Sequence, residues 1–259
     1  MSDNAMNTTR TIVILGGTTE ARKLADQLAD TLGDTLRVIT SLAGRTQNPK
    51  LPKGEIRTGG FGGADGLAAY LKEINADLLV DATHPYAAQI SVHAAEAAIS
   101  AAVPRLMLDR PAWQAQPGDR WIHVPDIARA VSEISRKSDA CLITTGINDL
   151  AAFAPIITTK LFVRLIETPS KPLPIVDAEV VIGKPPYRKD EEIALMRLLG
   201  IDLMVTKNAG GDGTYAKLEA ARALGIKVIM IDRPAVPDGG TLGSVEETIA
   251  AIRKSLQLN

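Results

Sequence analysis

The sequence predicts an α/β protein with parallel sheets, arranged as two similar units. Two observations carry this. Short apolar runs such as Thr11-Ile12-Val13-Ile14-Leu15 alternate with Ala- and Leu-rich stretches of helical spacing, the order that yields a parallel sheet covered by helices. The runs are apolar throughout, as strands buried on both faces require. The second half also weakly repeats the first. Leu106-Met107-Leu108-Asp109-Arg110-Pro111-Ala112 matches Ile229-Met230-Ile231-Asp232-Arg233-Pro234-Ala235, and Asp77-Leu78-Leu79-Val80 matches Asp202-Leu203-Met204-Val205. Ile14-Leu15-Gly16-Gly17 lines up more loosely with Ile143-Thr144-Thr145-Gly146. The matches keep their order at offsets of about 123 to 129 residues. The expected architecture is two Rossmann-like parallel-sheet domains, residues 1–112 and 113–259, forming an inter-domain cleft. In such sheets ligands sit beyond the carboxyl ends of the strands, so the strand-end loops should carry the chemistry.

The elements follow in order. Residues 11–15 read as a buried strand, leading through Gly16-Gly17-Thr18-Thr19 into a helix over 20–32 with Ala21, Leu24, Ala25, Leu28 and Leu32 on one face. Strands are expected at 36–41 and briefly at Ile56-Arg57. A helix over 66–74 precedes a strand at 77–81, and an Ala-rich helix over 86–100 precedes one at 104–108. Residues 110–118 break the rhythm and read as the inter-domain connection. Beyond it come a strand at 121–124, a helix over 127–136, and strands at 140–144 and 162–165. A helix over 191–199, a strand at 202–206, a helix over 215–224, a strand at 228–231 and a last helix from Val245 complete the chain.

Composition narrows the function. The formal net charge of −1 excludes a general polyanion binder, which would be basic overall. No nucleic-acid partner is expected, and any anionic ligand must be held by local Lys and Arg. The lone cysteine, Cys141, excludes an intrachain disulfide and a cysteine metal knuckle. Within Ala140-Cys141-Leu142-Ile143 it reads as a buried structural thiol. His84, His93 and His123 lack metal-ligand spacing, so no metal is expected. A polar start and the lack of a run of about 18 apolar residues argue against a signal or a membrane span, and a cytoplasmic enzyme is expected.

Six strand-end loops hold the candidate chemistry. Gly16-Gly17-Thr18-Thr19 opens a helix, the context in which glycines admit a phosphate to the backbone. The same residues also suit a plain capped turn, and the spacing is not the general dinucleotide fingerprint. NAD enzymes of this build place an acid at the end of the second strand to grip the ribose. Here Ser41 stands there with Arg45 nearby, a pair suited to a 2′-phosphate, which favours NADP. Gly59-Gly60-Phe61-Gly62-Gly63 suits close contact with a flat ligand and equally a mobile lid. Asp81-Ala82-Thr83-His84-Pro85-Tyr86-Ala87 gathers titratable groups at a strand end, with His84 and Tyr86 as candidate acids. The matching loops of the second half carry Thr144-Thr145-Gly146 and Lys207-Asn208-Ala209-Gly210-Gly211, the latter opening a helix with Lys217. Arg164, Lys184 and Arg188 add positive charge between them.

In this order, the glycine turn, Ser41-Leu42-Ala43-Gly44-Arg45, the Gly59–63 loop, the Asp81–Ala87 stretch and Lys207-Asn208-Ala209-Gly210-Gly211 resemble the precorrin-6A reductase family, over about residues 11–234. The resemblance implies NADPH-dependent reduction of one double bond of precorrin-6A, or of cobalt-precorrin-6A, in cobalamin biosynthesis. It implies NADPH as cofactor, a carboxylate-rich tetrapyrrole as the small-molecule partner, and transient contact with neighbouring pathway enzymes. On this reading Gly16, Gly17, Thr18, Thr19, Ser41, Arg45, Thr83, Gly146, Lys207, Asn208, Gly210 and Gly211 bind the cofactor. Arg164, Lys184, Arg188 and Lys217 bind the substrate, and His84 and Tyr86 are the candidate catalytic residues. Three rival readings stand beside it. A short-chain dehydrogenase needs Tyr-x-x-x-Lys, but Ile90 and Glu219 stand four residues after Tyr86 and Tyr215. A nucleotide-sugar transferase shares the paired build, and a non-catalytic NADP-binding regulator would bind without turnover.

Overall fold

A computed structural model describes residues 9–44, 50–134, 138–237 and 239–258. The chain starts with strand β1 (Arg10–Leu15), helix α1 (Thr19–Leu32), strands β2 (Leu36–Leu42) and β3 (Glu55–Thr58), helix α2 (Ala64–Glu73), strand β4 (Leu78–Asp81), helix α3 (Ala88–Ala101) and strand β5 (Arg105–Leu108). Strand β6 (Trp121–Val124), helix α4 (Ile127–Ile134), strand β7 (Ala140–Ile143), a 3-10 helix (Ile147–Phe153) and strands β8 (Lys160–Leu165) and β9 (Glu179–Ile182) follow. Then come helix α5 (Lys189–Leu198), strand β10 (Leu203–Lys207), helix α6 (Ala216–Leu224), strand β11 (Lys227–Ile231), strand β12 (Thr241–Leu242) and helix α7 (Val245–Leu256).

Two units result, Met1–Arg110 with Ala235–Asn259, and Pro111–Pro234. Each contains a six-stranded sheet, ordered β3-β2-β1-β4-β5-β12 and β9-β8-β7-β10-β11-β6. The sixth position is exchanged. Strand β6 follows β5 along the chain but pairs with β11, and β12 follows β11 but pairs with β5. The expected second domain, 113–259, is therefore corrected at its end. Its last segment joins the first unit, where Val245, Ile252 and Leu256 share an apolar cluster with Leu24 and Leu28.

The repeats have a physical origin in this topology. Asp77, just before β4, accepts hydrogen bonds from Thr11 N and Arg10 Nη1 at the start of β1, both at 2.8 Å. Asp202, just before β10, does the same for β7, accepting from Ala140 N at 3.2 Å and Ser138 Oγ at 2.6 Å. Burial pushes the Asp202 carboxyl up, but these bonds outweigh it and hold it below its ordinary value. The second repeat, Asp-Arg-Pro-Ala, lies where the chain leaves each unit after its fifth strand.

Alternate strand residues feed opposite faces of the first sheet. Ile12, Ile14, Leu78 and Val80 face α1 and α7, while Val13, Leu15 and Leu79 join Leu67, Leu71, Ala94 and Ala97 of α2 and α3. Leu24 and Leu28 are fully buried, each contributing roughly 1.5–3 kcal/mol. In the second unit Leu142, Phe162, Met204 and Met230 pack on Met196 and Leu218. Strand β9 carries only the short run Val180-Val181-Ile182, and β12 and the 3-10 helix carry no periodic apolar signal, so the sequence reading did not place these three elements. Among the described residues no helix is long and apolar enough to cross a membrane.

Candidate functional site

In the first sheet the chain steps from β1 to β2 and β3 on one side, then to β4 and β5 on the other. The order reverses between β1 and β4, the point where such sheets open a crevice at their carboxyl ends. The loops after these two strands meet there. Thr18 caps α1, its Oγ1 accepting from Ala21 N at 3.0 Å and donating to Ala82 O at 2.8 Å. The two glycines beside it have different reasons to be glycine. A Cβ on Gly16 would approach Thr40 Cγ2 to 2.9 Å, so the sheet itself needs that residue small. Gly17 has φ +113° and nothing within 4 Å of a Cβ position. Space is open there, and the backbone conformation excludes most side chains. Gly17 and Thr19 are exposed at the mouth of a 14-residue helix. Glu20 in its first turn is paired with Arg110 at 2.5 Å, so its negative charge is offset.

Ser41 closes β2 and is buried. Arg45 lies outside the described residues. The parallel register instead sets Arg57 of β3 opposite Ser41, with Nη1 3.5 Å from Ser41 Oγ. Arg57 also donates to Gly59 O at 2.6 Å and Gly60 O at 2.9 Å, and lies 3.8 Å from the Phe61 ring centroid. The glycine loop is thus wrapped around a guanidinium. Sequence reasoning missed Arg57 because only strand pairing brings it to the end of β2.

In the Asp81–Ala87 stretch, Asp81 is named by the sequence as one of the titratable groups but given no role of its own. It is 1% exposed and its Oδ1 accepts from Thr83 N at 3.2 Å and Thr83 Oγ1 at 2.7 Å. Thr83 Oγ1 lies 3.4 Å from Ser91 Oγ of α3. His84 is exposed, and its Nδ1 accepts from Tyr86 N at 3.2 Å. That bond assigns a neutral ring's proton to Nε2. The rings of His84 and Tyr86 are 5.7 Å apart.

The second sheet reverses between β7 and β10. Thr144, Thr145 and Gly146 follow β7, and Gly146 has φ +93° with nothing within 4 Å of a Cβ position. The element after them is a 3-10 helix of 7 residues, which offers little of the dipole a full helix presents to a phosphate. Lys207, at the end of β10, pairs with Asp149 at 2.6 Å. Asn208 and the adjacent glycines are occupied by the chain itself. Asn208 Oδ1 accepts from Trp113 N at 2.8 Å, its Nδ2 donates to Trp113 O at 3.1 Å, and Trp113 Nε1 donates to Gly211 O at 2.8 Å. A Cβ on Gly210 would meet Pro111 O at 2.3 Å. Arg233 donates to Asn208 O and Ala209 O at 2.8 and 3.1 Å. These contacts account for Asn208, Gly210 and Gly211 as anchors of residues 111–113.

The four predicted substrate residues fall into two settings. Lys184 and Arg188 are exposed, with Arg188 paired to Asp190 at 3.0 Å. Arg164 and Lys217 are buried. Arg164 forms a two-pronged pair with Glu192, at 2.9 and 3.3 Å, and lies 4.7 Å from the Tyr187 ring centroid. Lys217 Nζ donates to Thr144 Oγ1 at 3.2 Å and sits 5.5 Å from the Trp113 ring centroid. Burial pushes the Lys217 amine down to about 7; Glu192 opposes this and Arg164 adds to it. Cys141 is fully buried, and burial pushes its thiol up, away from the reactive thiolate. Among the described residues no group of three or more His, Cys, Asp or Glu is placed to hold a metal ion.

Fold and strand-end loops together define a doubly wound α/β protein whose first unit carries an open glycine turn at the capped start of a helix. The family model for precorrin-6x reductase CbiJ/CobK matches residues 11–253. Precorrin-6A reductase of Rhodococcus erythropolis is 45% identical over 226 residues, 87% of this chain and 90% of that protein. Cobalt-precorrin-6A reductase of Priestia megaterium is 29% identical over 253 residues, 93% of this chain and 97% of that protein. A solved structure of CobK precorrin-6A reductase superposes with a TM-score of 0.88 at 39% identity, covering 95% of this chain and 97% of that one. The chain belongs to the precorrin-6x reductase family.

Proposed function

We propose that this enzyme reduces one double bond of precorrin-6A, or of its cobalt form, with NADPH. The observation that carries the cofactor assignment is the pairing of open Gly17 at the capped mouth of α1 with Ser41 and Arg57 at the end of β2. An acid that would grip an NAD ribose is absent from that position, and a guanidinium stands there instead. Bound NADPH supplies a hydride equivalent to the ring. On this reading the amides after Gly16 and the Thr18–Thr19 turn hold the pyrophosphate, and Ser41 with Arg57 holds the 2′-phosphate. Thr83, tied to Asp81, stands across the same crevice.

Reduction leaves one carbon of the macrocycle to be protonated. His84, with its proton on Nε2, and Tyr86 are our candidates for that transfer, which returns one proton from solvent for each hydride consumed. Lys184 and Arg188 offer exposed positive charge to the acidic side chains of the ring. The test is direct. Adding precorrin-6A to enzyme and NADPH should consume one NADPH for each product heavier by two hydrogens. Binding of NADPH without its oxidation would return the protein to a regulator.

A further inference from the structure

At the carboxyl ends of β7 and β8, buried donors of Arg164, Thr145 and Lys217 are left short of acceptors among the described residues. Arg164 spends Nη1 and Nη2 on the carboxylate of Glu192, and the buried Asp149 Oδ2 after β7 is taken by Lys207. The Nε of Arg164 is buried without a partner among the described residues, and so is the hydroxyl of Thr145. Lys217 has three donors when charged and meets one neutral hydroxyl, that of Thr144, which itself donates to Val205 O at 3.1 Å. Buried polar groups are nearly always satisfied, so this surplus of donors calls for an acceptor-rich, anionic partner. Gly146 leaves room beside it, and the cluster stands at the chain reversal where ligands enter such sheets.

We propose that Lys217, backed by Arg164, seats one carboxylate of the substrate, and that its amine takes up a proton from solvent as that carboxylate binds. This rests on the substrate reading above. The charged groups acting on the amine are Arg164 of β8 and Glu192 of α5, already paired with each other. Without ligand, the amine has no unpaired acid to hold its proton. Near pH 8 an amine titrating at about 7 is about nine-tenths neutral. An arriving carboxylate restores the charged form, and the site becomes neutral overall with its donors satisfied. Substrate carboxylates are ionised throughout pH 6–9, so the proton taken up belongs to the protein.

The measurement is calorimetric titration of the full-length enzyme with precorrin-6A, without reduced cofactor, in buffers of different ionisation enthalpy. Uptake should approach about 0.9 proton per substrate at pH 8 and about 0.1 at pH 6. Affinity should fall about tenfold per pH unit above 7. Lys217→Arg, always charged, should bind with no uptake and a flat pH profile. Lys217→Met should bind about tenfold or more weakly, with no uptake. Wild-type binding without proton uptake at pH 8 overturns the proposal and leaves the reductase reading intact, whether or not either variant folds. Failure to bind precorrin-6A at all overturns both. Uptake on titrating NADPH alone overturns the carboxylate assignment in favour of a cofactor phosphate.

Discussion

Replacing Lys217 with Met should stabilise the second unit, even though it removes a hydrogen bond. The amine is buried with one neutral partner, and its value falls from an ordinary 10.5 to about 7. At about 1.4 kcal/mol for each pH unit, that sets a ceiling of about 5 kcal/mol on what charged burial costs the fold. Thr144 Oγ1 keeps its bond to Val205 O, so the variant strands no hydroxyl. Replacing buried charge by an apolar chain of similar size gains roughly 1–4 kcal/mol, and we expect a gain in that range at pH 7. The sign with pH follows from linkage. Between about 7 and 10.5 the unfolded chain binds the proton that the folded chain has lost, so wild-type stability rises with pH there. The advantage of the variant is full at pH 7 and below, and shrinks to nothing as pH nears 10.5. Both tryptophans, Trp113 and Trp121, lie in the second unit, so urea unfolding followed by tryptophan fluorescence reports on that unit. A variant less stable than wild type at pH 7, or a difference that ignores pH, would refute the reasoning.

Three further outcomes are expected. Arg57→Ala should weaken NADPH roughly ten- to a hundredfold, the equivalent of about 1.5–3 kcal/mol for a charged hydrogen bond, and leave NADH nearly unchanged; equal losses by direct binding assay would remove Arg57 from the 2′-phosphate. Gly17→Val places a branched side chain at φ +113°, in the space open to a phosphate, and should abolish cofactor binding in a protein whose circular dichroism stays native. Normal NADPH affinity in that folded variant would reduce the loop to a turn. Glu192→Gln leaves Arg164 charged and unpaired in a buried position, which should cost about 3–5 kcal/mol in the same urea titration; a loss below 1 kcal/mol would show the pair to be solvated.

Much of the fold was legible because its cause is local. Ile12, Ile14, Leu24 and Leu28 advertise their faces by spacing, Thr18 advertises a cap, and Asp77 and Asp202 repeat because each ties the start of one strand to its neighbour. The glycine turn after β1, the Asp81–Ala87 stretch and their place at strand ends follow from the same periodicity. Tertiary structure decided what depends on partners remote in sequence. Strands β6 and β12 exchange sheets through short pairings with β11 and β5, and no periodicity in 4 or 2 residues names a partner. Arg57 reaches Ser41 through the β2–β3 register, not through proximity along the chain. Asn208 reads like a ligand-binding loop residue, yet its amide is held by Trp113, 95 residues away. Lys217 looks like any helical lysine; only packing removes it from water, and desolvation then turns a solubilising charge into a titrating group.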